Sequence, residues 1–189
     1  WKDTTEQERL LGVSLTGIMD CPLLNKNGPH LEKRLSTLRE HAVKTNKKWA
    51  KLLGIEPAAA ITCVKPSGTV SQLTNSASGI HPRHSQYYIR TVRADNKDPL
   101  TKFMKQADVF NEPDVMSPEH NTVFSFPIKY SNKAVFRKDL SAVEHMQLWL
   151  TYSEHWCEHK PSITISVKEH EWMDVGAWCY AHFDQLSGI

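Results

Sequence analysis

The sequence predicts an α/β fold with a mainly parallel sheet, and three observations carry that prediction. Ala58-Ala59-Ala60-Ile61-Thr62-Cys63-Val64 is an apolar run, the pattern of a strand buried on both faces. Residues 31–53 repeat their apolar side chains at helical spacing. Residues 162–167 alternate, with Ile163, Ile165 and Val167 on one face and Ser162, Thr164 and Ser166 on the other. Strand and helix patterns follow one another along the chain, as βα units do.

The elements follow in order. Thr4-Thr5-Glu6-Gln7-Glu8 reads as a helix start, with Thr5 and Glu8 at capping-box spacing. Residues 10–19 read as an extended apolar segment in which Gly12 and Gly17 permit close backbone approach. Asn25-Lys26-Asn27-Gly28-Pro29 is a turn whose proline suits the first helical position. The long helix after it carries Leu31, Leu35, Leu38 and Ala42 on one stripe, continued by Trp49, Leu52 and Leu53. Lys and Arg give it a solvated opposite face, and Gly54 ends it.

The apolar run then breaks into Pro66-Ser67-Gly68-Thr69. Pro66 fixes φ and ends the ladder, and Gly68 removes the Cβ that would block a ligand. Val70-Ser71-Gln72-Leu73 starts a helical turn. Successive amides of such a turn, with the hydroxyls of Ser67, Thr69 and Ser71, make an anion cradle. Such a turn falls at the carboxyl end of a strand, where α/β folds place ligands. A turn of this composition also serves as a plain connection, and the Gly-Lys-Ser/Thr core of a Walker loop is missing.

Residues 86–94 read as a strand rich in Tyr, Ile and Val, in which Arg90 and Arg93 point to opposite faces. At most one of the two faces a ligand, and Arg90 is the candidate; the other is free for an exterior salt bridge. Asp98-Pro99 opens a helix through Leu100, Phe103, Met104 and Ala107. Residues 111–120, with Pro113 and Pro118, form a loop, and 122–128 a strand closed by Pro127. Asp139 or Ser141 caps the next helix, with Ser141 and Glu144 at capping-box spacing and Leu140, Val143, Met146, Leu150 and Cys157 on its buried stripe. The hydroxyl face of 162–167 lines a cavity or forms a solvated edge, and a last helix covers 172–185, with Gly188 after it.

A chain of 189 residues with 40% hydrophobic content and six Trp fits one domain with a real core. A net charge of +2 implies no nucleic-acid or membrane surface. No apolar run spans a bilayer and no signal peptide is visible. Cys21, Cys63, Cys157 and Cys179 are widely spaced and form no Cys-x-x-Cys pair, which suits reduced thiols in the cytoplasm. The chain starts at Trp1 rather than Met, the expectation for a fragment or a processed product.

His155 and His159 stand four apart beside Cys157 and Glu158, a metal-compatible spacing without a convincing third ligand, so no metal is expected. His170-Glu171 is no zincin motif, because position 174 is Asp. Cys157 lies on the apolar stripe and reads as core. His81, before Pro82, either lines a cavity facing cofactor or substrate or is a structural turn residue.

Further stretches follow in order: Ser78-Gly79-Ile80-His81-Pro82-Arg83-His84, then Tyr88-Ile89-Arg90-Thr91-Val92-Arg93, Asp98-Pro99-Leu100, Val123-Phe124-Ser125-Phe126-Pro127, and His155-Trp156-Cys157-Glu158-His159-Lys160-Pro161-Ser162-Ile163-Thr164-Ile165. With the Pro-Ser-Gly-Thr turn, they resemble the monomeric, adenosylcobalamin-dependent (class II) ribonucleoside-triphosphate reductases over most of the chain. The resemblance implies the C-terminal portion of the catalytic α/β barrel, as a single segment over 1–189. It implies that Ser67, Gly68, Thr69 and the amide of Val70 hold the substrate phosphates, with Ser71 a weaker candidate. It implies a thiyl-radical reduction of ribonucleoside triphosphates with adenosylcobalamin as cofactor and a thioredoxin-like reductant. The family's Asn-x-Cys-x-Glu finger loop is missing here, so the remaining N-terminal part of the reductase is an expected partner. The segment is then inactive alone, and none of the four Cys takes the radical role. By the same resemblance the chain begins after that loop and stops just where the family continues into another strand. Half a barrel exposes sheet edges and predicts poor solubility. The class I large subunit shares the barrel and stays an alternative, as do a non-catalytic nucleotide-phosphate-binding module and, more remotely, a zinc hydrolase; the Gly-Ile-His-Pro and Tyr-Ile-Arg pattern favours class II.

Overall fold

The computed structural model describes residues 1–130 and 134–189. The elements are α1 (Lys2–Glu8), β1 (Val13–Ser14), α2 (Pro29–Leu53), β2 (Thr62–Cys63), α3 (Val70–Leu73), β3 (Tyr87–Asp95), α4 (Pro99–Gln106), β4 (Asn111–Pro113), β5 (Asn121–Lys129), α5 (Ala142–His155) and α6 (Trp172–Ala181). They are helices and strands mixed, as an α/β chain requires. The chain divides into two compact units, Trp1–Arg83 with Lys133–Ile189, and His84–Asn132, where its length suggests one.

In the first unit β1 and β2 pair in parallel, Val13 opposite Thr62 and Ser14 opposite Cys63. Backbone bonds from Leu11 to Ala60 (3.1 Å) and from Leu15 to Cys63 (3.2 Å) prolong the contact beyond the assigned strands. The far edge of β2 is closed by a side chain: Glu158 Oε2 accepts from the amides of Ile61 (3.0 Å) and Thr62 (3.2 Å). Ile61, Thr62, Cys63 and Val64 are all buried, as the apolar run predicts.

The core joins Ile18, Met19, Leu31, Leu35, Ile80, Met146, Trp149, Tyr152 and Trp156. Its aromatic polar tips are all satisfied, as buried Tyr and Trp require. Trp149 Nε1 donates to Pro161 O (3.2 Å), Trp156 Nε1 to Cys63 O (2.8 Å) and Tyr152 OH to Leu24 O (2.9 Å). Helix α5 begins in the capping box read from the sequence, with Glu144 N donating to Ser141 Oγ (3.2 Å) and Ser141 N to Glu144 Oε2 (2.8 Å). Asp139 instead accepts from the amide of Phe136. Helix α2 ends on Gly54 in the left-handed conformation, φ 67°. Its apolar stripe is buried only in part: Leu31, Leu35 and Ala50 are covered, whereas Trp49, Leu52 and Leu53 are more than half exposed.

The second unit is a three-stranded sheet, β3-β5-β4, antiparallel throughout. Here the expectation of mainly parallel pairing is corrected, since among the described residues parallel pairing is limited to the two-residue β1-β2 ladder and a single bridge between Arg83 and Phe136. The reason lies in the connections. The amide of Asn96, just after β3, donates to the carbonyl of His120, just before β5 (2.7 Å), so the chain leaves β3 and enters β5 at the same end. Alternation of side chains reports burial but not strand direction. The segment expected as a loop contains β4, tied back by Asp114 N to Asn121 O at 3.1 Å.

Other departures are local. No ladder forms over 162–167, although its alternation holds: Ile163 is buried, and Thr164 and Ser166 are exposed. Thr5 closes no capping box; its hydroxyl donates to Trp1 O (2.9 Å), and the helix starts earlier. The last helix stops at Ala181, before a single turn Phe183–Gln185.

Candidate functional site

The turn after β2 is exposed and open. Gly68, Thr69 and Val70 lie at the surface and Ser67 is half-buried. Among the described residues nothing accepts from the amides of Gly68, Thr69, Val70 or Ser71, and the Thr69 hydroxyl has no partner. A Cβ on Gly68 would meet nothing within 4 Å, so the approach to those amides is clear. Ser71 differs: it is fully buried and its hydroxyl donates to Ser67 O, which makes it a brace of the turn. A run of exposed amides and hydroxyls without acceptors is chemically suited to an oxyanion.

The turn rests on a second loop, 74–83. Ser67 N donates to Ser78 Oγ (2.9 Å), and Thr16 Oγ1 lies 3.2 Å from Ser67 Oγ. Gly79 has φ +55° and faces the Lys65 carbonyl so closely that a Cβ there would lie 2.6 Å from it. Asp20 and the nearly buried Arg83 form a bidentate pair, with Nε to Oδ1 and Nη2 to Oδ2 both 2.7 Å. The same Oδ2 accepts from Ala77 N (2.7 Å), and Arg83 Nη2 also donates to Asn75 O (2.7 Å).

His81 lines a cleft of about 200 Å³ with Arg137, Ser141, His145, Thr164 and Ser166. Its ring is fully engaged: Nδ1 donates to Ser78 O (3.0 Å) and Nε2 accepts from Thr164 N (3.0 Å), which defines the neutral tautomer. The hydroxyl face of 162–167 thus borders this cleft. His145 donates from Nε2 to Ile80 O (2.9 Å), and burial pushes its pKa down to about 4. Arg90 sits on β3 in the second unit, opposite Phe126, with no ion pair among the described residues. Arg93, on the opposite face, is the salt-bridge residue, 3.0 Å from the buried Asp114.

Burial of His145 gives a pH prediction. The unfolded imidazole takes a proton near 6.5, the folded one only near 4, so stability is full above pH 6.5 and is lost as pH falls toward 4. The loss reaches about 2 kcal/mol by pH 5, at about 1.4 kcal/mol per pH unit. Urea unfolding at pH 7 and pH 5 measures it, and His145→Gln, which keeps a donor for Ile80, flattens the dependence. A separate window opens lower. Backbone hydrogen bonds from Ser141 and Lys168 hold the Glu144 and Glu171 carboxyls below the usual value of 4.5, so their contribution is lost only as pH falls below that value.

The histidine pair does not assemble a metal site. Helix α5 ends at His155, so His159 is off the helix, where its Nε2 donates to Leu11 O (2.6 Å); His155 Nδ1 contacts Ser36 Oγ. Among the described residues no three His, Cys, Asp or Glu side chains converge. Cys157 is buried in the core and its thiol is pushed up to about 12, which removes it as a nucleophile. Neither the His81 cleft nor the charged groove of about 660 Å³ beside Arg39, Lys44 and His155 encloses a corrinoid, so no residue here is assigned to one. Among the described residues no helix is long and apolar enough to cross a membrane.

Sequence reading missed Thr16, Asp20 and Arg83 as parts of the site's frame. Thr16 and Asp20 precede the turn by some fifty residues, one within the mostly apolar segment 10–19 and the other just after it.

No family model matches the chain. Over 90% of its length it is 28% identical to an adenosylcobalamin-dependent ribonucleoside-triphosphate reductase of Levilactobacillus brevis, covering 26% of that protein. Over 88% it is 26% identical to the enzyme of the same description from Euglena gracilis, covering 23% of it. The chain therefore spans about a quarter of the length of the curated relatives it matches. A crystal structure of a B12-dependent (class II) ribonucleotide reductase superposes on 96% of the chain and 29% of its own, with TM-score 0.80 at 23% identity, a likeness of fold.

Proposed function

We propose that this chain is the C-terminal portion of the catalytic α/β barrel of a ribonucleotide reductase, and that its Pro66–Val70 turn holds the substrate's phosphates. The observation that carries this reading is the turn itself: exposed, acceptor-free amides at the end of a strand, in a chain whose relatives are ribonucleoside-triphosphate reductases. Both compact units belong to that one barrel portion. The reaction reduces a ribonucleoside triphosphate to the deoxyribonucleoside triphosphate, with a thioredoxin-like protein as electron donor, in the cytoplasm. Adenosylcobalamin supplies the radical that the reaction needs. This chain's own residues bind and orient. Amides of Gly68, Thr69 and Val70 and hydroxyls of Ser67 and Thr69 neutralise phosphate oxygens, and Ser71 holds the turn's shape. Cys157, buried in the core, takes no radical role. The radical cysteine comes with the remaining N-terminal portion, which is the partner.

Thr69→Val tests the turn. The Thr69 hydroxyl has no partner to lose, so the variant keeps its stability. In the enzyme reassembled with an N-terminal portion, one lost hydrogen bond to a charged phosphate costs about 1.5–3 kcal/mol, a rise in KM of about tenfold or more. Unchanged KM and kcat remove Thr69 from the site.

A further inference from the structure

Thr16 sits at the end of the β1 segment, beside the proposed phosphate turn and outside it in sequence. Its hydroxyl makes three contacts: Ala77 O at 3.1 Å, Gly79 N at 3.0 Å and Ser67 Oγ at 3.2 Å. A hydroxyl has one proton and two lone pairs. Ala77 O can only accept, so the Thr16 proton goes there. Gly79 N–H can only donate, so it takes one lone pair. Toward Ser67 the Thr16 oxygen is left as an acceptor, and the Ser67 proton therefore points at Thr16. In that arrangement Ser67 offers an approaching anion only lone pairs, which repel it.

We propose that Thr16 is a positioning residue of the phosphate turn, whose hydroxyl reverses its hydrogen bond to Ser67 when an oxyanion binds. In the bound turn Thr16 Oγ1–H swings from Ala77 O to donate to Ser67 Oγ, and the Ser67 proton is freed to donate to the anion. Gly79 N–H keeps its acceptor on Thr16 throughout, so the loop behind the turn does not move. A Ser67 hydroxyl that receives a hydrogen bond while giving one is the stronger donor, because chained hydrogen bonds polarise one another. Two features make the exchange feasible. The Ala77 carbonyl keeps its bond from the Gly17 amide (2.8 Å) when Thr16 turns away, and the turn's unpartnered amides point to the same ligand class. The inference rests on the phosphate-binding reading of the turn and adds a residue from a different segment to it.

The test is a double-mutant cycle on binding of inorganic tripolyphosphate to this chain, read by calorimetry. Thr16→Val keeps shape and removes the hydroxyl; Thr16→Ser keeps the hydroxyl. The expected results are a several-fold loss of affinity for Thr16→Val, wild-type affinity for Thr16→Ser, and a larger loss, about tenfold, for Ser67→Ala. Adding Thr16→Val to Ser67→Ala then costs nothing more, because the two hydroxyls act as one unit. Wild-type affinity for Thr16→Val with weakened Ser67→Ala overturns the role of Thr16 and leaves the turn standing. Full additivity of the two losses also overturns it, since a purely structural Thr16 acts without Ser67. Absence of tripolyphosphate binding, or binding indifferent to both Ser67→Ala and Thr69→Val, overturns the phosphate-turn reading and this inference with it. Should Thr16→Val fail to fold, Thr16→Cys, with a weaker donor, takes its place in the same cycle and is expected to lose several-fold.

Discussion

Asp20→Ala is expected to cost the first unit about 1.5–3 kcal/mol, the range for hydrogen bonds to a charged group in a partly buried pair. The Arg83 side chain is 7% exposed, and its guanidinium loses two charge-assisted bonds while keeping its bond to Asn75 O. The Ala77 amide loses its acceptor as well. Two segments far apart in sequence, 18–20 and 75–83, are joined through this carboxylate as well as by the backbone bond from Ile18 N to Gly79 O (3.3 Å), and the turn at 66–70 leans on the second of them. Domain stabilities are about 5–15 kcal/mol, so the loss is a large share of the total. Asp20→Asn keeps an acceptor of the same shape and is expected to lose less. Urea midpoints for the two variants decide the matter. An Asp20→Ala midpoint equal to the wild type's would mean that the pair contributes nothing and that the 75–83 loop is held by its other hydrogen bonds and by packing.

Gly79→Ala is expected to cost about 2–4 kcal/mol, and to do so at a residue that contacts no ligand. Two effects add. The backbone at φ +55° disfavours any side chain, and the new Cβ would sit 2.6 Å from the Lys65 carbonyl, a backbone atom that cannot rotate away. Relief requires Lys65 to move, and Lys65 immediately precedes the Pro66-Ser67-Gly68-Thr69 turn. The variant therefore loses tripolyphosphate affinity along with stability. Gly68→Ala is the contrast. Nothing lies within 4 Å of its added Cβ and its φ is ordinary, so stability is unchanged while the methyl obstructs the amides. Thermal melts and binding on both variants separate the glycine that supports the turn from the glycine that opens it. Equal stability of Gly79→Ala and wild type would contradict the close packing against Lys65.

Patterns set by local chemistry were legible in the sequence. The capping box Ser141–Glu144, the Pro29 start and Gly54 stop of α2, and the buried run 61–64 each depend on neighbours within a few residues. The turn at Pro66–Thr69 was legible for the same reason, because proline, glycine and hydroxyl residues announce a turn wherever they cluster. What the sequence did not disclose depends on distant partners. Strand direction in β3-β5-β4 follows from where the chain re-enters the sheet, which alternation does not encode. Glu158 looked like a metal-ligand neighbour and instead closes the edge of β2 with its carboxylate. His81 was an ambiguous candidate, and its two ring nitrogens turned out to be spent on Ser78 and Thr164. Trp49, Leu52 and Leu53 follow helical spacing yet stay exposed, because spacing reports which residues share a face and not whether that face has a partner.

Deoxyribonucleotide formation tests the central claim most directly. The reaction contains a ribonucleoside triphosphate, adenosylcobalamin and a dithiol, with this chain alone or mixed with a separately expressed N-terminal portion of a related reductase carrying the finger-loop cysteine. Product in the mixture and none from either part alone is the predicted result. Product from this chain alone would contradict the account, because Cys21, Cys63, Cys157 or Cys179 would then have to be the radical cysteine. No product from a mixture that has demonstrably assembled would contradict the reductase assignment and leave a non-catalytic phosphate-binding module.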